Sequence, residues 1–443
     1  MPGPTAAAAP PGRPWKSAFL WLLFLGPFFF GTYGFANWLA SRRSDVGSVV
    51  FDWEPYIPFL AWTIVPYWTI DLLYALSLFV CATREELQVH VRRLLAAQVI
   101  AVACFIAFPL RFVFERPETE GLFGWMFDVL TGFDKPFNQA PSLHIALLVI
   151  IWVLYDKRAT GAWNAVLHGW FALIAVSVLT TYQHHFIDLP TGVWAGWLCL
   201  WLFPEGRRSP LSEIRLTGDP MRLKLAVYYG AAALLLATVA ALARGSALWL
   251  LWPAASLAMV AAIYACLDEE AFQKSPDGSL SPAARWLLGP YVLGAWLNSR
   301  WWTRAASNAD TIVPSVLLGR LPTAGERGAL GVRSIVDVSA ELPCDSRGIG
   351  YRVIPMLDLI TPPARRLAEA AEAIEASLPR GPVLVCCALG FSRSALVIAA
   401  WLLRSGRAAR AEEAIAQIHR ARPGVVFHAG HTRAIEEFAR RDR

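Results

Sequence analysis

The stretch Val383-Leu-Val-Cys-Cys-Ala-Leu-Gly-Phe-Ser-Arg-Ser394 has the residue types of a phosphate-handling loop. A β-type run ends at a Cys, and an Arg follows six positions later, where a helical pattern begins. A loop of that length can curl so that successive backbone N–H groups face one tetrahedral anion. The helix after it adds its positive N-terminal end. Gly390 permits the tight curvature, and the planar fork of Arg393 can grip two phosphate oxygens. The same field favours a thiolate at Cys387, a nucleophile at neutral pH. The plain alternative is a structural Cys before a helix. The loop interior, Ala388, Leu389, Gly390, Phe391 and Ser392, would surround the phosphate; it holds no Lys or Arg, which argues against a polyphosphorylated inositol headgroup.

A second set of groups lies in the apolar N-terminal half. Arg111-Phe-Val-Phe-Glu-Arg-Pro117 closes one apolar span, Pro141-Ser-Leu-His144 opens the next, and His184-His-Phe-Ile-Asp188 bridges two more. A histidine at a helix end is by itself an interfacial anchor. Two Arg (111 and 116), two His (144 and 184) and Asp188 on one expected side of a membrane form a set suited to phosphoryl transfer. His185 has no Asp four residues on, and His168 lies inside a span, where packing explains it.

The first set resembles the C-x5-R loop of cysteine-dependent phosphatases, specifically the dual-specificity group, over about residues 305–440. Val316-Leu-Leu-Gly-Arg-Leu-Pro322, the Ser334–Val338 run and Ala421-Arg-Pro-Gly-Val-Val426 resemble that family too. The resemblance implies a soluble α/β domain in which Cys387 attacks phosphorus and forms a phosphocysteine. It implies that Arg393 binds the phosphate and that Ser394 helps the thiolate leave. The general acid is then an Asp on a loop after an earlier strand. Asp358, 387 − 358 = 29 residues upstream, fits; Asp337, inside an expected strand, reads as structural. Where the family usually has His before the nucleophile, this chain has Cys386, read as a plain buried thiol.

The second set resembles the type 2 phosphatidic acid phosphatase superfamily, near its inositol phosphorylceramide synthase branch, over about residues 50–205. By that likeness His184 forms a phosphohistidine, Asp188 orients its ring, His144 protonates the leaving oxygen, and Arg111 and Arg116 neutralise phosphate charge. The chain departs from that pattern at Pro109, where a basic residue is usual, and at Thr180-Thr-Tyr-Gln183, where an Arg is usual.

The elements that must position these groups follow from composition. Of 443 residues 56% are hydrophobic and 17% charged, with 20 Trp and 24 Phe. Soluble proteins carry about 25% charged residues, so the chain is neither disordered nor wholly soluble. Apolar spans are expected near 18–40, 57–81, 94–114, 143–155, 163–182, 188–203, 223–243 and 246–266. The first is too long for a signal peptide's apolar core and reads as a retained helix. Arg84, Arg92, Arg93, Lys157, Arg158, Arg207 and Arg208 lie on loops sharing a side with the N-terminus, which the positive-inside rule makes cytoplasmic.

The expected fold is thus an α-helical polytopic membrane bundle of about eight spans followed by a soluble α/β cysteine-phosphatase domain. Residues 1–16 read as a disordered tail, 17–205 as the phosphatidic acid phosphatase-like membrane domain and 206–270 as two further spans. Residues 271–304 read as a juxtamembrane linker, its polar part Leu267–Pro282, and an interfacial helix (Ala283–Trp302) rather than a ninth span. Residues 305–443 read as the dual-specificity phosphatase domain. The seven cysteines lack zinc-like spacing, and both expected chemistries run without metal or cofactor. The expected substrates are a phosphorylated lipid and, alternatively for the Cys site, a phosphoprotein. The membrane half is open between phosphatase, phosphotransferase and mere anchor. No basic run suggests nucleic acid. The Arg-rich composition points to a bacterial inner membrane, with the Cys domain cytoplasmic.

Overall fold

The computed structural model describes residues 12–441. The chain forms two compact units, one up to Ser212 and one from Glu213.

The first unit is helical: α1 (Trp15–Ser41), α2 (Ile64–Val80), α3 (Arg84–Ala107), α4 (Gly121–Phe133), α5 (Leu143–Asp156), α6 (Ala162–Thr180) and α7 (Asp188–Leu202). Helix α3 starts ten residues before its expected span, because Thr83 caps it. The Thr83 hydroxyl accepts from the Glu86 amide at 3.1 Å, and the Glu86 carboxylate accepts from the Ala82 amide at 2.6 Å. Among the described residues six helices of the chain are long and apolar enough to cross a membrane, four of them here: α1, Ala61–Val80, α3 and α6. The expected spans 143–155 and 188–203 form helices of only 14 and 15 residues. At 1.5 Å per residue these reach roughly 22 Å, short of the roughly 30 Å hydrocarbon core. By length the expected count of eight becomes six. Helix α5 is buried almost all round, a core element of the bundle.

Helices α5 and α7 approach through glycine. A Cβ at Gly192 would lie 2.6 Å from the Ser142 carbonyl oxygen, and one at Gly196 would lie 2.7 Å from the Val149 Cβ. Two glycines four apart present a flat strip to the neighbouring backbone. That strip seats the start of α7 against the start of α5, and the Ser142 amide donates to the Asp188 carbonyl at 3.1 Å.

The second unit opens with a pair of apolar helices, α8 (Pro220–Ala243) and α9 (Leu251–Ala265, preceded by a 3-10 turn from Gly245). Asp219 caps α8 by accepting from the Met221 amide at 2.8 Å. Arg222 donates to the carbonyls of Ile263, Tyr264 and Leu267 at the end of α9, joining the open ends of the hairpin. The expected polar linker Leu267–Pro282 is instead built into the unit. Lys274 is buried and donates to Asp337 at 2.6 Å and to the Ser339 carbonyl at 2.8 Å. Helices α10 (Pro282–Leu287) and α11 (Gly289–Trp302) follow.

Five strands then form one mixed sheet: β1 (Ala309–Val313), β2 (Val316–Arg320), β3 (Ser334–Ser339), β4 (Gly350–Met356) and β5 (Val383–Cys387), in the order β1-β2-β5-β3-β4, with the short helix α12 (Ala324–Ala329) between β2 and β3. Only the β1–β2 pair is antiparallel. Alternate residues serve opposite faces. Val336, Val338, Val383 and Val385 pack with helices α13 (Ala364–Ser377), α14 (Arg393–Arg404), α15 (Ala411–Ala421) and α16 (Ala429–Arg441). Ile335, Leu384 and Cys386 face the other way, where Val292 and Ala295 of α11 pack. The central strand β5 ends at Cys387, and the loop after it leads directly into α14.

Candidate active sites

Cys387 sits at the C-terminal end of the central parallel strand, where open α/β sheets place ligands. Its sulfur accepts from the Gly390 amide at 3.2 Å and from the Ser394 hydroxyl at 3.3 Å. Gly390 has φ +74°, and a Cβ there would lie 2.3 Å from the Gly319 carbonyl carbon, so glycine is required for curvature and closeness alike. The loop carbonyls are tied outward. Ala388 O accepts from the Ser299 hydroxyl at 2.5 Å, Gly390 O from Arg422 at 3.0 Å, and Phe391 O from the Val426 amide at 2.8 Å. With these carbonyls tied outward and the Gly390 N–H aimed at the sulfur, the loop has the arrangement that receives an oxyanion.

Arg393 opens α14 and is buried. Its guanidinium meets both oxygens of Glu341 at 2.9 and 2.6 Å, donates to the Met356 carbonyl at 2.8 Å, and lies 3.0 Å from Asp358. Its Nε has no partner among the described residues. Burial disfavours the charge on Glu341, but Arg393 outweighs burial and holds that carboxyl below the usual range. Asp358 follows β4. Burial raises its carboxyl above the ordinary value, against the opposing pull of Arg393. A carboxyl whose proton is held more tightly than usual, beside an anion-binding loop, suits the role of a general acid.

Asp337 is fully buried and saturated by Lys274, the Ser339 amide and hydroxyl, and Tyr351, a structural hub away from the loop. Cys386 points to the opposite sheet face, and burial raises its thiol well above the ordinary value. The sequence reading missed Glu341, Ser299 and Arg422. Glu341 follows the expected strand Ser334–Val338, so the C-terminal edge of the sheet was its available signal. Arg422 stood inside a quoted motif without a role. Ser299, in an aromatic segment, carried no signal.

In the first unit the glycine strip brings two expected residues, His184 and Asp188, together with Ser142, which had no role in the sequence reading. His184 Nδ1 lies 3.1 Å from Asp188 Oδ2, and His184 Nε2 lies 3.2 Å from the Ser142 hydroxyl. Asp188 Oδ2 also accepts from the His185 amide at 3.1 Å, so the carboxylate fixes both the ring and the backbone before it. With Nδ1 on the carboxylate, Nε2 is the ring nitrogen turned to the Ser142 hydroxyl. His184 lines a polar cavity of about 260 Å³ shared with Arg116, Lys135, Asp134 and Gln183. Arg116 also lies over the Phe127 ring at 4.5 Å. Arg111 is exposed and lies outside that lining. His144 stacks on Tyr67, with centroids 4.3 Å apart, and its buried Nε2 has no partner among the described residues. His185 pairs instead with the buried Glu54 at 2.7 Å, and His168 accepts from Trp152 at 2.7 Å.

A mixed sheet whose central strand, parallel to both neighbours, ends at a cysteine followed by a tight loop and a helix-opening arginine is the arrangement of a cysteine phosphatase fold. Residues 321–441 match the family model of the dual specificity phosphatase catalytic domain, so the second unit carries a catalytic domain of that kind. Among solved structures the chain is similar to Tk-PTP in its active form, at 27% identity, covering 31% of this chain and 99% of that chain with a TM-score of 0.29. It is similar to human DUSP28 at 27% identity, covering 30% and 95%, TM-score 0.27. It is also similar to PTPMT1 in complex with PI(5)P at 21% identity, covering 31% and 97%, TM-score 0.29.

Proposed function

We propose that this protein is a membrane-bound phosphatase whose C-terminal unit works through a phosphocysteine at Cys387. The carrying observation is the sulfur held by the Gly390 amide and the Ser394 hydroxyl at the mouth of a loop closed by Arg393. The Cys387 thiolate attacks phosphorus; the S–P bond forms as the P–O ester bond breaks, and Asp358 protonates the leaving oxygen. Water then attacks phosphorus and gives its proton to the Asp358 carboxylate. The S–P bond breaks, phosphate leaves, and the Ser394 hydroxyl stabilises the returning thiolate. Arg393 exchanges carboxylate partners for phosphate oxygens along this path. The six long apolar helices support membrane residence, with the phosphatase unit on the cytoplasmic side.

A second reading concerns the N-terminal unit, favoured by the His184–Asp188–Ser142 geometry beside a cavity holding Arg116 and Lys135. There His184 is the nucleophile, Asp188 positions its ring, His144 serves the leaving oxygen, and a lipid phosphate or phosphodiester is the substrate. Water or a lipid alcohol can take the phosphoryl group from the same phosphohistidine, so hydrolysis and transfer share this site. Arg111, exposed, is set aside in favour of Arg116.

The test is a phosphate-release panel on full-length wild type, His184→Ala and Cys387→Ser, with product headgroups identified. The proposal expects Cys387→Ser to abolish p-nitrophenyl phosphate hydrolysis. It expects His184→Ala to remove whatever lipid activity Cys387→Ser retains. Hydrolysis of p-nitrophenyl phosphate undiminished by Cys387→Ser would overturn the first reading; no Cys387-independent activity on any lipid would leave the N-terminal unit an anchor.

A further inference from the structure

The acid side of the Cys387 loop is walled by tyrosines carried on the apolar helices of its own unit. Tyr264, buried in the last turn of α9, donates its hydroxyl to the Asp358 carbonyl at 3.1 Å. Tyr229 of α8 packs on Tyr264 with ring centroids 5.6 Å apart, and Tyr291 of α11 packs edge-on to Tyr229 at 5.7 Å. All three hydroxyls are within electrostatic range of Asp358 and Glu341, and those of Tyr229 and Tyr264 also of Arg393. Two of these tyrosines ride on helices with mean hydropathy of 2.0 and 1.8.

The depth of that wall is set by the hairpin. Arg222, in the first turn of α8, binds the carbonyls of Tyr264 and Ile263, so Tyr264 lies at the base of the hairpin. Tyr229 is nine residues past Pro220, roughly 14 Å along α8. A tyrosine with a polar tip and an apolar body suits the boundary between headgroups and chains. The Asp358 loop is therefore at headgroup level when α8 and α9 cross a bilayer.

Elements that hold the loop and the acid expose apolar side chains. Leu359, next to the acid, is 55% exposed and held at φ +59°, a conformation unfavourable for an L-residue. Val426, whose amide holds the loop at Phe391, is 59% exposed. Helix α11 turns Trp296, Trp301 and Trp302 outward. Acyl chains offer such side chains far more apolar surface to cover than a water-borne phosphopeptide does.

We infer that the substrate of the Cys387 site is a membrane lipid with a phosphomonoester headgroup, its chains remaining beside α8 and α9 while the phosphate enters between the tyrosine wall and the loop. This rests on the reading of Cys387 as the nucleophile. The ester P–O bond breaks through the phosphocysteine, water supplies the fourth oxygen of the phosphate, and the lipid keeps its alcohol.

The test uses the full chain carrying His184→Ala, in phosphatidylcholine vesicles. The probes are phosphatidic acid and a monophosphorylated phosphatidylinositol, each against its deacylated headgroup, with a phosphotyrosyl peptide and p-nitrophenyl phosphate alongside. We expect kcat/KM for at least one lipid to exceed that of its headgroup and of the peptide by 100-fold or more. We expect Tyr229→Ala to lower the ratio of lipid to p-nitrophenyl phosphate turnover at least tenfold. Leu359→Gly, which suits the local φ and folds without strain, lowers the same ratio. Equal turnover of both lipids and their headgroups, or preference for the peptide, overturns the inference. Those outcomes leave the Cys387 reading standing if Cys387→Ser still abolishes p-nitrophenyl phosphate hydrolysis; survival of that hydrolysis overturns both.

Discussion

Ser299, in the last turn of α11, donates its hydroxyl to the carbonyl of Ala388, one residue past the candidate nucleophile, at 2.5 Å. Both partners are buried. A helix that packs on one face of the sheet thus holds the peptide unit that begins the phosphate loop, and fixes which way its N–H points.

Ser299→Ala removes that donor and leaves the Ala388 carbonyl buried without a partner. The cost of such a group is about 1–3 kcal/mol. If it falls on the loop, kcat/KM for p-nitrophenyl phosphate drops roughly tenfold, since ~1.4 kcal/mol is one factor of ten. Steady-state kinetics with a denaturation midpoint checks this. A variant with wild-type values for both removes Ser299 from the positioning role.

Asp358→Asn tests the acid. In the folded protein burial raises the Asp358 carboxyl above its ordinary value. Its protonated, active form therefore persists to higher pH than for a free carboxyl, and activity falls as pH rises through the shifted value. The Asn variant should lose that basic limb. It should also lose about 10²–10⁴-fold in kcat on alkyl phosphates, and much less on p-nitrophenyl phosphate, whose leaving group needs no proton. A pH–rate profile on both substrates decides; an unchanged basic limb in Asp358→Asn assigns the acid elsewhere.

What was legible in the sequence follows the range of the interactions. Cys387, Gly390, Arg393 and Ser394 lie within eight residues, so one loop's chemistry could be read locally, and β3 begins at Ser334, where the expected Ser334–Val338 run begins. The carboxylate facing Arg393 from Glu341 is 52 residues away. It arrives only because β3 lies beside β5, a strand order that no periodicity in the chain encodes. The expected count of eight spans is unconfirmed for a related reason, six helices being long and apolar enough by length and composition. Apolar composition marks α5 and α7 as buried, but it does not distinguish burial in lipid from burial among other helices.

Lys274 is the clearest misreading, because polar residues between apolar segments look like a linker. Its ammonium is buried against Asp337, with Ser339 completing the donors and acceptors. Lys274→Met leaves the Asp337 carboxylate buried with less compensation. Breaking one side of a buried pair costs about 3–5 kcal/mol. The denaturation midpoint of the full chain should fall accordingly, and Lys274→Met with Asp337→Asn should recover part of the loss. A single variant as stable as wild type would return 267–282 to the status of a passive connection.

The N-terminal site depends on a contact that carries no charge. Gly196 faces α5 so closely that an added Cβ would lie 2.7 Å from the Val149 Cβ and 2.8 Å from the Ala146 carbonyl oxygen. Both neighbours belong to the buried core of α5, so neither yields cheaply. Gly196→Val must push α7 away from α5, and the start of α7 carries Asp188 while the start of α5 follows Ser142. The expected cost is about 1–3 kcal/mol, read as a lower unfolding temperature of the full chain in detergent, with Gly196→Ala intermediate. The same displacement opens the 3.2 Å approach of Ser142 to His184, so any His184-dependent phosphate release should fall in the order glycine, alanine, valine. A valine variant that melts with wild type would show that α5 and α7 do not meet through this strip, and the His184–Ser142 geometry would lose its support.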